Sequence, residues 1–562
     1  MGHPISLSQS HQETQPSVVI VGAGPGGLSS AIALKRQLGF SNFTVYEKGP
    51  SVGGTWRENT YPGCSSDVPM SFYSLSTDLS DWKESHGYQK DILEYWVHLA
   101  EKYDLYRHIS FNCKVVSVEW DSAINQYKVV TEDSATKKLT RSTANVVISA
   151  IGILDSPRYA AIPGLELYKG YTFHSARWDH TVELNGRRVG VIGNGSSATQ
   201  FVPRITEDPK VQVIHFCRSP NWFLPNLRKV YSSLKLFLLH NIPFMKRFHR
   251  WSVFLRLELA HMILFSNVVP RSILPLLLRS YVKYTAPKEY QQKLIPTFPP
   301  GCKRIIFDTG YLEALHRPNL DLNWDGIERI VEDGVVTKTG EHITLDVIIF
   351  ATGFAADYYP LPIRGKTQTI QEYYEKAGGP KAYLGTVVPG FPNFFVVYGP
   401  NTATGHTSVI FTNEVQINYI LQVITPILRG DVLSLEVDAA ATDTYNDKIH
   451  YSLAKSVFSQ CVSWYRVGGE GKVSSAFPKA GIVFWLWLRR PDWKHYSGVG
   501  LDLWLSRKIW SQRFRHWVLK SSIVLGAVLM GHYWRSASID TNIIAMDVAI
   551  FLGGLLGVTF MF

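Results

Sequence analysis

Two glycine-rich segments of this chain have the spacing that binds a dinucleotide. The first follows the apolar run Val18–Val21 and contains Gly22, Gly24, Gly26 and Gly27, in the pattern G-x-G-x-x-G. Glycines at these positions permit a tight turn, a close approach of backbone to a pyrophosphate, and close packing of a helix on a strand. The N-terminus of the helix that follows supplies N–H groups and partial positive charge to the phosphates. We therefore expect this segment to bind the pyrophosphate of a cofactor.

An acidic residue sits where the first cofactor's ribose would lie. Glu47 follows the strand-like run Thr44–Tyr46 and comes twenty residues after Gly27. A carboxylate there accepts hydrogen bonds from both ribose hydroxyls and repels a 2′-phosphate. The first site is therefore suited to FAD or NAD.

The second segment is the variant G-x-G-x-x-A, and it follows the strand-like run Arg188–Ile192. Its residues are Gly193, Asn194, Gly195, Ser196, Ser197, Ala198 and Thr199. The ribose position, twenty residues after Ala198, is now Arg218, and Ser219 follows it. A guanidinium and a hydroxyl favour a 2′-phosphate, so the second site is predicted to take NADPH.

Two nucleotide sites imply that electrons pass between two cofactors. NADPH delivers a hydride to a flavin, and the reduced flavin passes electrons to a disulfide, a quinone or molecular oxygen. The cysteines, odd in number and never spaced as C-x-x-C, are Cys64, Cys113, Cys217, Cys302 and Cys461. This pattern argues against a disulfide framework or a zinc site and fits a reducing compartment. Cys64 lies in the right region but has no neighbouring cysteine, so a disulfide acceptor is disfavoured.

Alternating strand and helix patterns predict an α/β fold with two dinucleotide-binding (Rossmann-like) domains. The run Asp346–Phe350 reads as a buried strand that follows the second glycine loop and a long helical stretch. We therefore expect the NADP domain to be inserted in the FAD domain. The predicted segments are a disordered extension 1–16, an FAD domain 17–165, an NADP domain 166–345 with a helical insert 228–285, the second part of the FAD domain 346–500, and a basic, apolar tail 501–562.

The formal net charge of +11 and the aromatic content of 13% suggest a membrane surface rather than nucleic acid. Much of the charge lies in Arg228–Lys283 and Arg507–Lys520, both rich in aromatic and aliphatic residues. The run Ile543–Phe562 is broken only by Asp547 and has about the length of 20 residues that spans a bilayer. We expect membrane contact through residues 518–562 with the catalytic domains facing the cytosol; a buried C-terminal helix pair is the alternative.

Several motifs resemble those of the flavin-containing monooxygenase superfamily and, within it, the flavin-dependent Baeyer–Villiger monooxygenases. Residues 53–56 (Gly-Gly-Thr-Trp) and 61–63 (Tyr-Pro-Gly) look like the family's flavin loop. The pattern Tyr168-x-Gly170-x-x-x-His174-x-x-x-Trp178-Asp179 is similar to its fingerprint F-x-G-x-x-x-H-x-x-x-W-P/D and departs only at the first position. Residues 301–304 (Gly-Cys-Lys-Arg) and 351–354 (Ala-Thr-Gly-Phe) match further motifs. The likeness covers residues 16–496 and leaves the tail outside.

The resemblance implies roles for individual residues. Arg304 would be the central catalytic residue, with Asp67 orienting it, and Lys303 would help to hold the 2′-phosphate. Trp464 looks like the family's nicotinamide-side tryptophan, although the sequence after it departs from the pattern. The residues expected to hold FAD besides the first glycine loop are Gly54, Thr55, Trp56, Asp67, Val68 and Tyr73. Those expected to face NADP besides the second loop are Ser65, Ser66 and Asp67.

The expected activity is an NADPH- and O2-dependent Baeyer–Villiger oxidation. A lipophilic ketone, such as a terpenoid, steroid or polyketide, would become an ester or lactone through a C4a-peroxyflavin, with Arg304 stabilising the negative charge. Hydroxylation, epoxidation or N- or S-oxidation by the same oxygenated flavin stays open, and so does a membrane-attached reductase. His174, Trp178 and His406 are expected to have structural or coupling roles.

Overall fold

The computed structural model describes residues 15–265, 273–355 and 358–536. The predicted disordered extension 1–16 lies outside these ranges except for its last two residues. The apolar run Ile543–Phe562 lies outside them entirely.

The described chain alternates strands and helices. The strands are β1 (Val18–Val21), β2 (Phe43–Tyr46), β3 (Ile109–Ser110), β4 (Cys113–Asp121), β5 (Gln126–Asp133), β6 (Leu139–Ala144), β7 (Val146–Ser149), β8 (Tyr171–His174), β9 (Arg188–Ile192), β10 (Gln212–Phe216), β11 (Phe223–Leu224), β12 (Ile306–Phe307), β13 (Leu320–Asn323), β14 (Ile327–Val331), β15 (Gly334–Thr337), β16 (His342–Thr344), β17 (Val347–Phe350), β18 (Ile363–Arg364), β19 (Phe394–Val396), β20 (Glu436–Val437) and β21 (Tyr496–Ser497). The α-helices are α1 (Pro25–Leu38), α2 (Thr55–Glu58), α3 (Gln89–Lys102), α4 (Ser196–Ile205), α5 (Ser233–Asn241), α6 (Met245–Phe265), α7 (Ile273–Thr285), α8 (Lys288–Leu294), α9 (Tyr311–Ala314), α10 (Ile370–Lys376), α11 (Val409–Leu428), α12 (Ala439–Ala454), α13 (Gly481–Leu488) and α14 (Leu501–Ser536).

The first parallel sheet has the strand order β19-β7-β1-β2-β3. Its strand β19 comes from residues far beyond the second glycine loop, so this domain is split along the chain. An antiparallel meander of β4, β5 and β6, extended by β18, shares a core with the sheet. Tyr127, Val129, Val147 and Phe394 pack together in that core.

The second parallel sheet has the order β13-β10-β9-β17-β8. Along the chain, its strands fall between β7 and β19 of the first sheet. The prediction of two dinucleotide-binding domains, one inserted in the other, is therefore confirmed. The predicted boundary between residues 345 and 346 is wrong, because Val347–Phe350 pairs with both β8 and β9 of the second sheet. A fully buried parallel strand reads the same in either domain, so its sequence cannot tell which sheet it joins.

The first glycine loop is held by contacts that only glycine permits. Gly22 has a φ of +102°, and a Cβ on Gly27 would lie 1.8 Å from the carbonyl oxygen of Gly22. Helix α1 then begins at Pro25, whose fixed φ suits the first helical position, and it ends at Gly39 in the left-handed region. The loop therefore turns sharply between strand and helix.

The C-terminal residues Gly500–Phe562 form a separate unit, of which the structure describes α14. Within the described residues, no helix has both the length and the apolar character needed to cross a membrane. The rings of Trp510, Phe514 and Trp517 stack in succession along α14. The side chains of Ile523, Leu525 and other apolar residues further along it are exposed.

Replacing Gly27 with alanine is expected to abolish FAD retention, because the new methyl group cannot fit against the Gly22 carbonyl without opening the loop. The measurement is the ratio of flavin to protein after purification. Gly39→Ala is the matched control: its added Cβ would meet nothing within 4 Å. The control is expected to cost about 1 kcal/mol in stability and to keep FAD. Full flavin content in Gly27→Ala would contradict this account of the loop.

Candidate active site

Glu47 lies at the carboxyl end of β2, where it supports the first glycine loop. Its side chain is buried, and its two oxygens accept hydrogen bonds from the N–H groups of Ala23 and Gly49, each at 2.8 Å. Arg57 forms an ion pair with it at 3.1 Å. A carboxylate has about four acceptor positions, so Glu47 can also accept bonds from a ribose. The ribose role of Glu47 stays a prediction, and its placement beside the loop supports it.

The segment around Gly54 packs directly on the first glycine loop. A Cβ on Gly54 would lie 2.8 Å from the Cα of Gly24, so the two backbones are in contact. Helix α2 follows and carries Thr55 and Trp56, whose indole N–H donates to the Tyr73 hydroxyl at 3.1 Å. The flavin-side residues predicted from separate motifs therefore lie together.

The first glycine loop fits the pyrophosphate of FAD. No side chain caps α1 at Gly24, so the N–H groups of Gly26 and Gly27 are not used by a capping residue. When bound, FAD would lie with its pyrophosphate on this helix end and its adenosine beside Glu47. The flavin would extend toward Trp56 and Tyr73.

The second glycine loop has the same construction with basic residues added. Helix α4 begins after Gly195, which has no side-chain cap, and the Asn194 side chain donates to the carbonyl oxygen of Ser219 at 2.9 Å. Lys303 donates to the Ser219 hydroxyl at 2.6 Å. Burial and the nearby Arg218 guanidinium lower the pKa of Lys303. Two cations and a hydroxyl at one spot fit the 2′-phosphate of NADPH.

Gln200 on α4 joins the two nucleotide domains. Its side-chain oxygen accepts from the Tyr61 hydroxyl at 3.0 Å, and its amide nitrogen donates to the carbonyl oxygen of Ser65 at 3.1 Å. Gly63 approaches the same helix so closely that a Cβ would lie 2.8 Å from the Gln200 carbonyl oxygen. The Tyr-Pro-Gly motif is therefore the point where the flavin side contacts the NADP domain. Ser65 therefore lies at the contact between the two domains. The hydroxyl of its neighbour Ser66 instead accepts a hydrogen bond from the backbone N–H of Val68 at 3.0 Å.

The fingerprint residues His174 and Trp178 are structural. Burial lowers the pKa of His174 to about 4, and its Nδ1 accepts the N–H of Ala176. Trp178 packs edge-on against Phe201 of α4, which in turn contacts Tyr61. The buried imidazole and the packed indole both contact neighbouring elements, which supports the coupling role expected for both.

Asp67 and Arg304 form the ion pair at the centre of the site. The Nε and Nη2 groups of Arg304 donate to Oδ2 of Asp67 at 2.8 and 2.5 Å. The carboxylate raises the pKa of Arg304 above its ordinary value, so the guanidinium stays charged. The Arg304 side chain is 36% exposed, so the ion pair adds little to the stability of the fold. Its main effect is to hold the guanidinium in position. The structure brings together the two residues expected to be catalytic.

Tyrosines surround this ion pair, and only Tyr73 among them was predicted. Tyr398 and Tyr465 lie within electrostatic reach of Arg304, and the Tyr465 hydroxyl hydrogen-bonds with it. Burial raises the pKa of each hydroxyl, so all three stay neutral. Trp464 packs on Tyr465 with ring centroids 4.6 Å apart and is 42% exposed, which places it at the edge of the site.

A disulfide bond joins Cys302 to Cys461, with a Cα–Cα distance of 6.0 Å. The prediction that the cysteines form no disulfide is wrong. The two residues are 159 positions apart, so spacing gave no signal, and the fold brings the Gly301–Arg304 loop beside Cys461–Trp464. The bond links the loop of Arg304 to that of Trp464. Cys64 is a free, buried cysteine and takes no part in this disulfide. Burial raises the pKa of its thiol to about 12, which leaves the thiol unreactive.

His406 is satisfied by the helical insert, as expected for a structural histidine. Its Nε2 lies 2.8 Å from the Glu258 carboxylate of α6, and its ring stacks on that of His261. Glu258 also accepts the N–H of Gly481 at 2.9 Å. The insert is thus fixed to the loop that follows Tyr398.

Comparison with known proteins agrees with this geometry. A family model described as flavin-binding monooxygenase-like matches residues 15–264. A Baeyer–Villiger monooxygenase of Pseudomonas aeruginosa is 35% identical over 85% of this chain and 91% of its own length. The chain belongs to the flavin-dependent Baeyer–Villiger monooxygenase family. It is therefore an FAD- and NADPH-dependent monooxygenase, which disfavours the reductase alternative.

Other members of this monooxygenase family resemble the chain over most of its length. The FAD-binding monooxygenase ktnD of Aspergillus niger is 33% identical over 94% of this chain and 90% of its own length. A match over 94% of the chain is longer than residues 1–496, so it must include part of the tail. The expectation that the tail lies outside the likeness is therefore wrong. A steroid monooxygenase bound to NADP and a closed cyclohexanone monooxygenase superpose with TM-scores of 0.73 and 0.75, each 25% identical. They cover 87% and 86% of this chain, and the matches span 100% and 99% of their own chains.

Replacing Arg218 with alanine is expected to raise the KM for NADPH by about ten-fold or more, because a charged contact to the 2′-phosphate is lost. The KM for NADH should change by less than about two-fold, because NADH has no such phosphate. Steady-state NAD(P)H oxidation at varied cofactor concentration measures both. Equal increases for the two cofactors would contradict the assignment of Arg218 and Lys303 to the phosphate.

Proposed function

We propose that this monooxygenase converts a lipophilic ketone to an ester or lactone. The carrying observation is the Asp67–Arg304 ion pair, held beside neutral tyrosines at the junction of the two nucleotide domains. The names cyclohexanone monooxygenase and steroid monooxygenase among the structural neighbours support a ketone as substrate.

The residues of the site suit attack on a carbonyl group. When bound, FAD that has been reduced by NADPH supplies the activation of molecular oxygen. Arg304 uses two N–H groups on Asp67 and also hydrogen-bonds with Tyr465, so its remaining N–H groups can donate to an oxygen atom that gains negative charge, such as a ketone oxygen under attack. Asp67 fixes the guanidinium in place. The neutral hydroxyls of Tyr398 and Tyr465 add donors without adding a competing charge.

An aromatic wall next to Asp67 favours an apolar substrate. Phe72, Phe254 and Phe411 pack with ring centroids 5.4 to 5.7 Å apart, and Val68 packs against them. Phe72 and Phe254 are themselves buried, so this side of the site is bounded by packed hydrocarbon, which suits a substrate with a hydrocarbon skeleton. Terpenoid, steroid and polyketide ketones have skeletons of this kind.

The proposed reaction can be tested by isotope labelling. The purified enzyme would be incubated with NADPH, 18O2 and a panel of lipophilic ketones. Mass spectrometry would then measure the 18O content of each product. One labelled oxygen in an ester or lactone is expected. Label that enters only sulfides, amines or alkenes supplied as competitors would contradict ketone oxidation.

Replacing Arg304 with alanine is expected to lower the rate of ester formation by about a hundred-fold or more, because the charge that stabilises the reacting oxygen is lost. FAD content should stay that of the wild type. Arg329→Ala is the control, because the side chain of that arginine is 52% exposed and pairs with Glu328. Wild-type ester formation in Arg304→Ala would contradict the role proposed for this guanidinium.

We propose further that residues 518–562 attach the enzyme to a membrane, with the catalytic domains in the cytosol. The exposed apolar side chains that support this attachment are Val518, Ile523, Val524, Leu525, Val528, Leu529 and Met530. Ending the chain after Trp517 is expected to turn carbonate-resistant membrane association into association that high salt removes. FAD content should be unchanged, because α14 belongs to a separate unit. Carbonate resistance that persists without the tail would contradict this proposal.

A further inference from the structure

Helix α6 of the insert buries two of its charged side chains, Arg250 and Glu258. Arg250 donates to the carbonyl oxygens of Ser71 and Ser74 at 3.1 and 2.7 Å and forms an ion pair with Glu414 at 3.0 Å. Glu258, two turns further along, binds His406 and the N–H of Gly481. These contacts fix the rotation of α6 about its own axis, because each charge needs its partner once it is removed from water.

The opposite face of the same helix is apolar and exposed. Phe248, Trp251, Leu255 and Leu259 are between 52% and 70% exposed, and Phe244, just before α6, is 76% exposed. Their spacing of three and four residues places them along one side of the helix. On a surface helix of a water-soluble domain, such large apolar side chains are instead buried against the domain.

Helix α5 packs against α6 and adds exposed side chains. Leu234 and Phe237 are 68% and 60% exposed. We call these residues the insert face; its members are Leu234, Phe237, Phe244, Phe248, Trp251, Leu255 and Leu259. A contiguous apolar surface of several large side chains marks a site of interaction.

Positive charge accompanies the insert face. Arg247 and Arg256 are exposed on α6 between its apolar positions. The only acidic residue of the segment 228–285 is Glu258, and it is buried against His406. Acidic side chains from outside the segment that contact it already have partners: Asp81 pairs with His240 and Lys246, and Glu414 pairs with Arg250.

We propose that the insert face is a docking surface for an anionic lipid bilayer. Large apolar side chains among exposed cations are the composition that inserts at the boundary between headgroups and acyl chains. A second copy of the chain is a poorer occupant, because a symmetric contact would bring the same cationic patch, with Arg247 and Arg256, against itself and would supply no exposed acid from α6 to pair them.

The docking surface and the active site share one helix. On the buried side of α6, Val253 and Phe254 pack on Phe72 and Val68, next to Asp67. A helix is about 10 Å across, so a docked bilayer would lie about that far from the aromatic wall. This consequence rests on the proposed lipophilic substrate, whereas lipid docking itself does not.

A fluorescent probe on the insert face tests the proposal in the full-length holoenzyme. An environment-sensitive dye would be attached through Phe248→Cys, in a Cys113→Ser background that removes the one half-exposed native thiol. Leu139→Cys, on the meander and 55% exposed, is the matched control. The probes used are vesicles of phosphatidylcholine with and without phosphatidylserine, and no ketone is added.

The dye at position 248 is expected to shift to shorter wavelength on addition of vesicles that contain phosphatidylserine, and the dye at position 139 is not. High salt should reduce the shift. No shift at position 248 while the protein floats with the vesicles would overturn the proposal and leave attachment to the tail alone. A shift without vesicles that grows with protein concentration would overturn it in favour of a second copy.

A triple substitution gives the second readout. Phe248→Ser, Trp251→Ser and Leu255→Ser together should weaken binding to these vesicles by about ten-fold or more, measured at a salt concentration at which the wild type binds. Leu139→Ser with Ile124→Ser is the control for a general loss of exposed apolar surface. Equal binding of the triple variant and the wild type, at wild-type FAD content, would also overturn the proposal. None of these measurements uses turnover, so a failure of ketone oxidation would be seen separately.

Discussion

The ion pair between Asp67 and Arg304 joins two segments that are 237 residues apart in the chain. Asp67 follows the Tyr-Pro-Gly motif, whose glycine rests on α4 of the NADP domain. Arg304 directly precedes β12, which pairs with β11 of the same domain. The ion pair can form only when the two nucleotide domains are packed against each other. This packing is held by contacts of Gln200 and Phe201 with Tyr61 and by the Cys302–Cys461 disulfide.

The two cofactor sites are variations of one construction. Each has a parallel strand, a glycine with positive φ and an uncapped helix end, so each can hold a pyrophosphate. What differs is the residue after the next strand: the buried acid Glu47 in one and the exposed Arg218 in the other, with Lys303 beside it. Lys303 and Arg304 are neighbours in sequence, so a single loop contacts both the expected 2′-phosphate site and the ion pair. The expected site of the reducing cofactor and the proposed oxygenation site are thereby linked through two adjacent side chains.

Local patterns predicted the features that depend on local chemistry. The glycine loops, Glu47 and Arg218 have fixed spacings because strand, turn and helix follow one another directly, and motif resemblance placed Asp67 with Arg304. Long-range features had no such signal. Cys302 and Cys461 meet only after folding, and Val347–Phe350 has a composition that either sheet accepts. Tyr398 lies outside the motifs, and Tyr465, although next to Trp464, had no signal for a contact with Arg304. The exposed apolar side of α6 was also hidden, because its sequence does not show which face meets the domain.

The central claim is that Asp67 acts through Arg304 and has no separate part in oxygenation. A double-mutant cycle with Asp67→Ala, Arg304→Ala and the combined variant tests it, with kcat/KM for ester formation from an accepted ketone as the measured quantity. The account predicts that the combined variant is no slower than Arg304→Ala alone, because the carboxylate has nothing left to position. Losses that multiply across the two substitutions would contradict it and assign Asp67 an independent role.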